Sequence, residues 1–74
     1  MRRPRHYGQT RDLAEYLAVY MARLDGRLEA ALARLHDALR AADADRAGAA
    51  TRDVLACAIR MRRVAEAQRR VKEP

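Results

Sequence analysis

The large apolar residues of the first half of the chain are Leu13, Leu17, Met21, Leu24, Leu28, Leu32, Leu35 and Leu39. Their steps of 4, 4, 3, 4, 4, 3 and 4 keep one side of an α-helix apolar over about seven turns. A strand, whose side chains alternate faces, would scatter the same residues over both sides. The repeat is eleven residues per three turns, which predicts a nearly straight or slightly right-handed path. Thr10 suits the N-cap, and Asp12 suits the first turn, where a carboxylate complements the helix dipole. The expected helix spans about residues 11–42 and runs roughly 45 Å.

A second, weaker stripe follows: Ala47, Ala50, Val54, Cys57, Met61, Val64, Gln68 and Val71. Leu55, Ala58, Ile59 and Ala65 widen that face, and Lys72-Glu73-Pro74 ends it. The reversal can lie at Asp43-Ala44-Asp45 or near Gly48 with Thr51 as cap. Packing separates the two. A turn near Ala44 opposes residues whose numbers sum to about 89, setting Leu35 against Val54, Leu28 against Met61 and Leu17 against Val71. A turn a few residues later opposes Leu28 to Arg70 and strands the leucines. The sequence therefore predicts an all-α, antiparallel two-helix hairpin, with helix 1 at about 11–42, a turn over Ala42–Arg46 and helix 2 at about 46–72. One continuous helix is the alternative, and it would leave its stripe in water. Residues 1–10 read as a basic, flexible N-terminal arm, 11–72 as the hairpin and 73–74 as a tail.

Seventy-four residues provide only a small core. Half of them are hydrophobic, but alanine makes up almost half of that half. With a single cysteine there is no intrachain disulfide to compensate, and a lone thiol suits a reducing compartment. A hairpin with so thin a core is expected to complete a helical bundle, by dimerisation or with a partner protein. The segment LAEYLAVYMA at 13–22 is apolar nearly all round. Its expected counterpart, RRVAEAQRRVKE at 62–73, offers little to cover it. An all-round apolar helix is normally buried, so Leu13, Tyr16, Leu17, Val19, Tyr20, Met21 and Leu24 form the expected protein interface. Tyr16 and Tyr20 serve there as aromatic anchors, or as ordinary packing with hydroxyls at the rim.

The net charge of +6 sits at the ends. Residues 1–11 carry four arginines and no acid, and 60–74 carry six cations against two glutamates. A hairpin brings both ends to one pole, while Asp37, Asp43, Asp45 and Asp53 gather near the turn. Arg2, Arg3 and Arg5 on the arm, with Arg60, Arg62, Arg63, Arg69, Arg70 and Lys72, are the candidate nucleic-acid contacts. A solvated charged face is the plainer reading of the same residues. His6 and His36 stand alone, and no Cys/His/Asp/Glu set has the spacing of metal ligands. Cys57 falls on the inward side of helix 2 as a small hydrophobe. No nucleophile stands beside a base and no glycine-rich phosphate loop is present, so neither an enzyme nor a cofactor is expected.

The hairpin length and Asp43-Ala44-Asp45 at the turn resemble the Rop family of plasmid copy-number regulators. The likeness is carried by those three residues, and it implies dimeric hairpins that bind paired RNA loops through helix 1. In architecture alone, an Ala/Leu-rich hairpin also resembles the small co-chaperones that hold needle subunits in type III secretion. No uncharged run exceeds residues 16–22, too short to span a membrane, and no apolar stretch of signal-peptide length follows the basic N-terminus. The expectation is a non-enzymatic, cytoplasmic hairpin acting by protein–protein contact, as a homodimer or as a chaperone or adaptor on a larger helical partner. A nucleic-acid-binding regulator is the alternative.

Overall fold

The computed structural model describes residues 5–72, with side-chain surroundings from Asp12 to Lys72. It consists of two helices packed against each other, α1 over Arg5–Arg40 and α2 over Ala44–Lys72. The predicted hairpin is therefore present, with both helices longer than expected at their N-terminal ends. α1 starts six residues before position 11 and takes in part of the predicted arm; residues 1–4 and the predicted tail lie outside the described residues. Thr10, expected as the N-cap, stands inside the helix. A favourable cap contributes only about 1 kcal/mol, and residues 5–10 contain no proline to exclude helix.

The turn takes three residues, Ala41–Asp43, and is tighter than the predicted Ala42–Arg46. The Asp43 N–H donates to the Ala38 carbonyl at 2.9 Å and the Ala42 N–H to the Leu39 carbonyl at 3.1 Å. Those two bonds form a Schellman motif, which places Ala42 in the left-handed region at φ 54°. Asp43 then caps α2, its carboxylate accepting the Arg46 N–H at 3.1 Å and its carbonyl accepting the Ala47 N–H at 2.9 Å. Gly48, the rival turn, lies within α2, where the Thr51 hydroxyl donates back to the Ala47 carbonyl. Ala42→Gly removes the Cβ strain of a left-handed alanine, so urea unfolding should show about 1 kcal/mol of added stability. Asp43→Ala should remove about 1 kcal/mol by the same measurement.

The helices meet along a seam. From α1, Leu17, Leu24, Ala31 and Ala38 are buried, and Met21, Leu28 and Leu35 are half-buried. The steps are 4, 3, 4, 3, 4 and 3, a seven-residue repeat of the left-handed coiled-coil type. This corrects the eleven-residue reading: Ala31 and Ala38 face the partner, while Leu32 and Leu39 stand one residue round the helix, exposed. The cause lies in α2, whose seam is the predicted set of Ala47, Ala50, Val54, Cys57, Met61, Val64, Gln68 and Val71 and keeps the same 3-and-4 period. Two stripes stay in contact only if their periods agree, so the shorter repeat prevails. Leu55, Ala58, Ile59 and Ala65, expected to widen the inward face of α2, are all exposed instead. Leu17, Leu24 and Val64 form the largest part of the core, with Tyr20, Met21, Met61, Ala67 and Val71 against them.

The hairpin measures 60 × 22 × 13 Å. Its thickness is close to the ~10–12 Å diameter of one helix, so the seam is the whole interior. The radius of gyration is 17.3 Å, against about 11 Å for a compact chain of this length.

Candidate interaction faces

A single layer of two helices has two broad sides, and the seam register assigns residues to each. Arg34 Nη2 lies 3.2 Å from Asp53 Oδ2, which identifies the side that the two residues share. A shallow groove on this side is lined by Leu24, Arg27, Ala30, Arg34, Asp53, Ala56, Cys57 and Arg60. By the seven-residue repeat, α1 presents Leu13, Tyr16, Tyr20 and Arg23 further along the same side. α2 adds Arg46, Arg63, Ala67 and Arg70. Among the described side chains, exposed arginines therefore number seven here, against Asp37 and Asp53. The Arg34–Asp53 pair is about half-exposed on both partners, and such pairs contribute roughly 0–1 kcal/mol. Electrostatically this side is a basic strip running the length of the hairpin.

At the terminal end of the strip, Tyr16 and Tyr20 stack with ring centroids 6.0 Å apart and planes inclined by 25°. Tyr20 is half-buried against the core, whereas Tyr16 is 61% exposed. The seven residues expected at an interface thus separate. Leu17 and Leu24 are buried within the hairpin, and Met21 is half-buried there. Leu13, Tyr16 and Val19 remain exposed.

The opposite side has a different chemistry. α1 presents Ala18, Ala22, Leu32 and Leu39 there, bordered by Glu15, Asp25 and Glu29. α2 presents Leu55, Ala58 and Ala65, bordered by Arg62, Arg69 and Lys72. All of these residues are exposed. Among the described side chains the three acids and three bases balance, acids on one helix and bases on the other. At the turn end a small apolar cleft is lined by Ala38, Leu39, Ala42, Asp43, Ala44 and Ala47. Arg62 also lies 3.6 Å from Glu66, one turn along its own helix and well exposed.

The candidate nucleic-acid contacts are divided by this geometry. Arg60, Arg63 and Arg70 lie on the basic strip, and Arg62, Arg69 and Lys72 lie on the neutral side. Arg2 and Arg3 fall outside the described residues, and Arg5 begins α1. The strip also recruits Arg23, Arg27, Arg34 and Arg46, which a division of charge by segment does not single out. Writing the seven-residue repeat over both helices would have found them, along with the exposure of Leu32, Leu39 and Leu55. Cys57 is half-buried in the seam. Among the described residues no group of three His, Cys, Asp or Glu is placed to hold a metal ion, and no helix is long and apolar enough to cross a membrane.

No protein-family model, curated protein or solved structure matches this chain.

Proposed function

We propose that this hairpin is a non-enzymatic binding module, cytoplasmic in its setting, that works by packing an outer face against other helices. It does so as a homodimeric bundle, or as an adaptor or chaperone on a larger helical partner. The observation that carries the reading is an inversion of the usual distribution of apolar residues. Leu24 is the one large side chain buried to below 2% exposure, while Leu13, Tyr16, Val19, Leu32, Leu39, Leu55 and Ile59 stand exposed among the described residues. A monomer leaving that much apolar surface in water has an interface to offer. The test is sedimentation equilibrium over micromolar to submillimolar concentrations. The expected result is a species heavier than the 8.4 kDa chain, with Leu55→Asp returning it to 8.4 kDa while helicity is retained. A chain that stays monomeric throughout, and retains no partner from its own host's lysate, would falsify the reading.

A second reading rests on the basic strip. Seven arginines along one side, ending at an exposed stacked tyrosine, suit the phosphate backbone of a nucleic acid with a base on Tyr16. If four phosphates are neutralised, gel-shift affinity should fall about 100-fold between 50 and 200 mM salt. Replacing Arg27, Arg34, Arg60 and Arg63 by glutamine should abolish that slope. A salt-independent affinity, or none at low salt, removes this reading.

A further inference from the structure

We propose that a second copy of this chain covers the neutral side of the hairpin, with the two-fold axis parallel to the helices and both turns at the same end. The inference rests on the association proposed above and specifies its occupant, face and register. Self-association through the basic strip is opposed, because each copy would bring its arginines against those of the other. The neutral side meets no such obstacle, since its acids lie on α1 and its bases on α2.

Charge and height together decide how the copies are arranged. Within one chain, Arg34 pairs with Asp53, so residues at equal height have numbers summing to about 87–88. Rotation about an axis parallel to the helices preserves height and sets α1 of each copy against α2 of the other. Asp25 then comes level with the partner's Arg62, and Glu29 lies about one turn along from it. Glu15 comes level with the partner's Lys72 and lies about one turn from the partner's Arg69, and Leu32 comes level with the partner's Leu55. Every one of these residues is exposed in the single chain. The other closed arrangement has turns at opposite ends and sets α1 against α1 and α2 against α2. There Asp25 and Glu29 face the same acids of the second copy, and Arg62 faces its own counterpart near the axis. Like charges directly opposed disfavour a register, and complementary ones select it. The alanines at 18, 22, 58 and 65 let the helices approach without steric obstruction.

The test uses two charge-reversed variants of the full chain, Arg62→Glu/Arg69→Glu and Asp25→Lys/Glu29→Lys. Each alone opposes like charges across the interface and should sediment as the 8.4 kDa chain. An equimolar mixture restores both contacts and should sediment at twice that mass. A spin label on Ala41→Cys in a Cys57→Ala background reads the arrangement. Turns at one end place the labelled backbones about 10–15 Å apart, as adjacent helix axes lie about 8–10 Å apart. Turns at opposite ends separate them by about the length of α2, roughly 43 Å. A long label distance overturns the proposal while leaving association intact. So does association that survives both charge reversals but is lost with Tyr16→Asp, which would move the interface to the other side. A chain that is monomeric in every arm overturns the proposal as well. If that chain also retains no partner from the host lysate, the binding-module reading falls with it.

Discussion

Leu24→Ala should leave the chain largely unfolded at room temperature. Leu24 is 1% exposed and, among the described residues, is the one large side chain fully removed from water. It sits in the cluster with Leu17 and Val64, packed by Met21 and Met61. Truncating a buried leucine costs about 2–5 kcal/mol, the higher values where neighbours cannot collapse into the space. Here the backbones are two rigid helices, so closing the gap at Leu24 would require moving a whole helix. Against that loss, a single core in a chain of this size supplies no more than about 3–5 kcal/mol. Circular dichroism should therefore show most of the helical signal gone, and urea titration should show no cooperative transition. A cooperative transition with most of its midpoint retained would place the stabilising contacts elsewhere. Leu13→Ala is the control: Leu13 is 45% exposed, and surface substitutions stay within about ±0.5 kcal/mol.

How far the sequence specified this molecule depends on which residue is asked about. Helix type, antiparallel topology and the inward set of α2 were legible, because the 3-and-4 spacing of Ala47 to Val71 has one reading. The interaction faces were not. They depend on which residues of α1 flank the seam, and the leucines gave a different seam from the alanines. Reading size as burial set Leu32 and Leu39 inward and left Ala31 and Ala38 out, although both alanines are fully buried. The error propagates: with the stripe misplaced by one residue, Arg27 and Arg34 cannot be aligned with Arg60, and the basic strip is invisible. The turn was missed by two or three residues because its signal is conformational. Ala42 adopts a positive φ that glycine usually supplies, so composition gave no hint of a Schellman motif there. Thr10 misleads for the opposite reason, since a good cap residue does not stop a helix that can continue.

That one-residue displacement can be tested directly with a pair of neighbouring substitutions, measured where the chain is monomeric. Ala38→Leu should destabilise the hairpin by about 1–3 kcal/mol, because Ala38 is completely buried where α1 meets α2 beside the turn. The added isopropyl group must enter a site where the methyl is already fully buried, displacing its neighbours toward the turn cleft, and the Schellman bond from the Asp43 N–H to the Ala38 carbonyl resists spreading the helices. Leu39→Ala should change hairpin stability by less than about 0.5 kcal/mol, since Leu39 is 60% exposed. If the eleven-residue leucine stripe were the true core, the order would reverse: Leu39→Ala would cost about 2 kcal/mol or more and Ala38→Leu almost nothing. Two urea titrations decide between the repeats. The same pair separates folding from association, for Leu39 lies on the neutral side proposed to receive the second copy and Ala38 does not. Leu39→Ala should accordingly weaken the dimer in sedimentation while its monomer melts as the unsubstituted chain does.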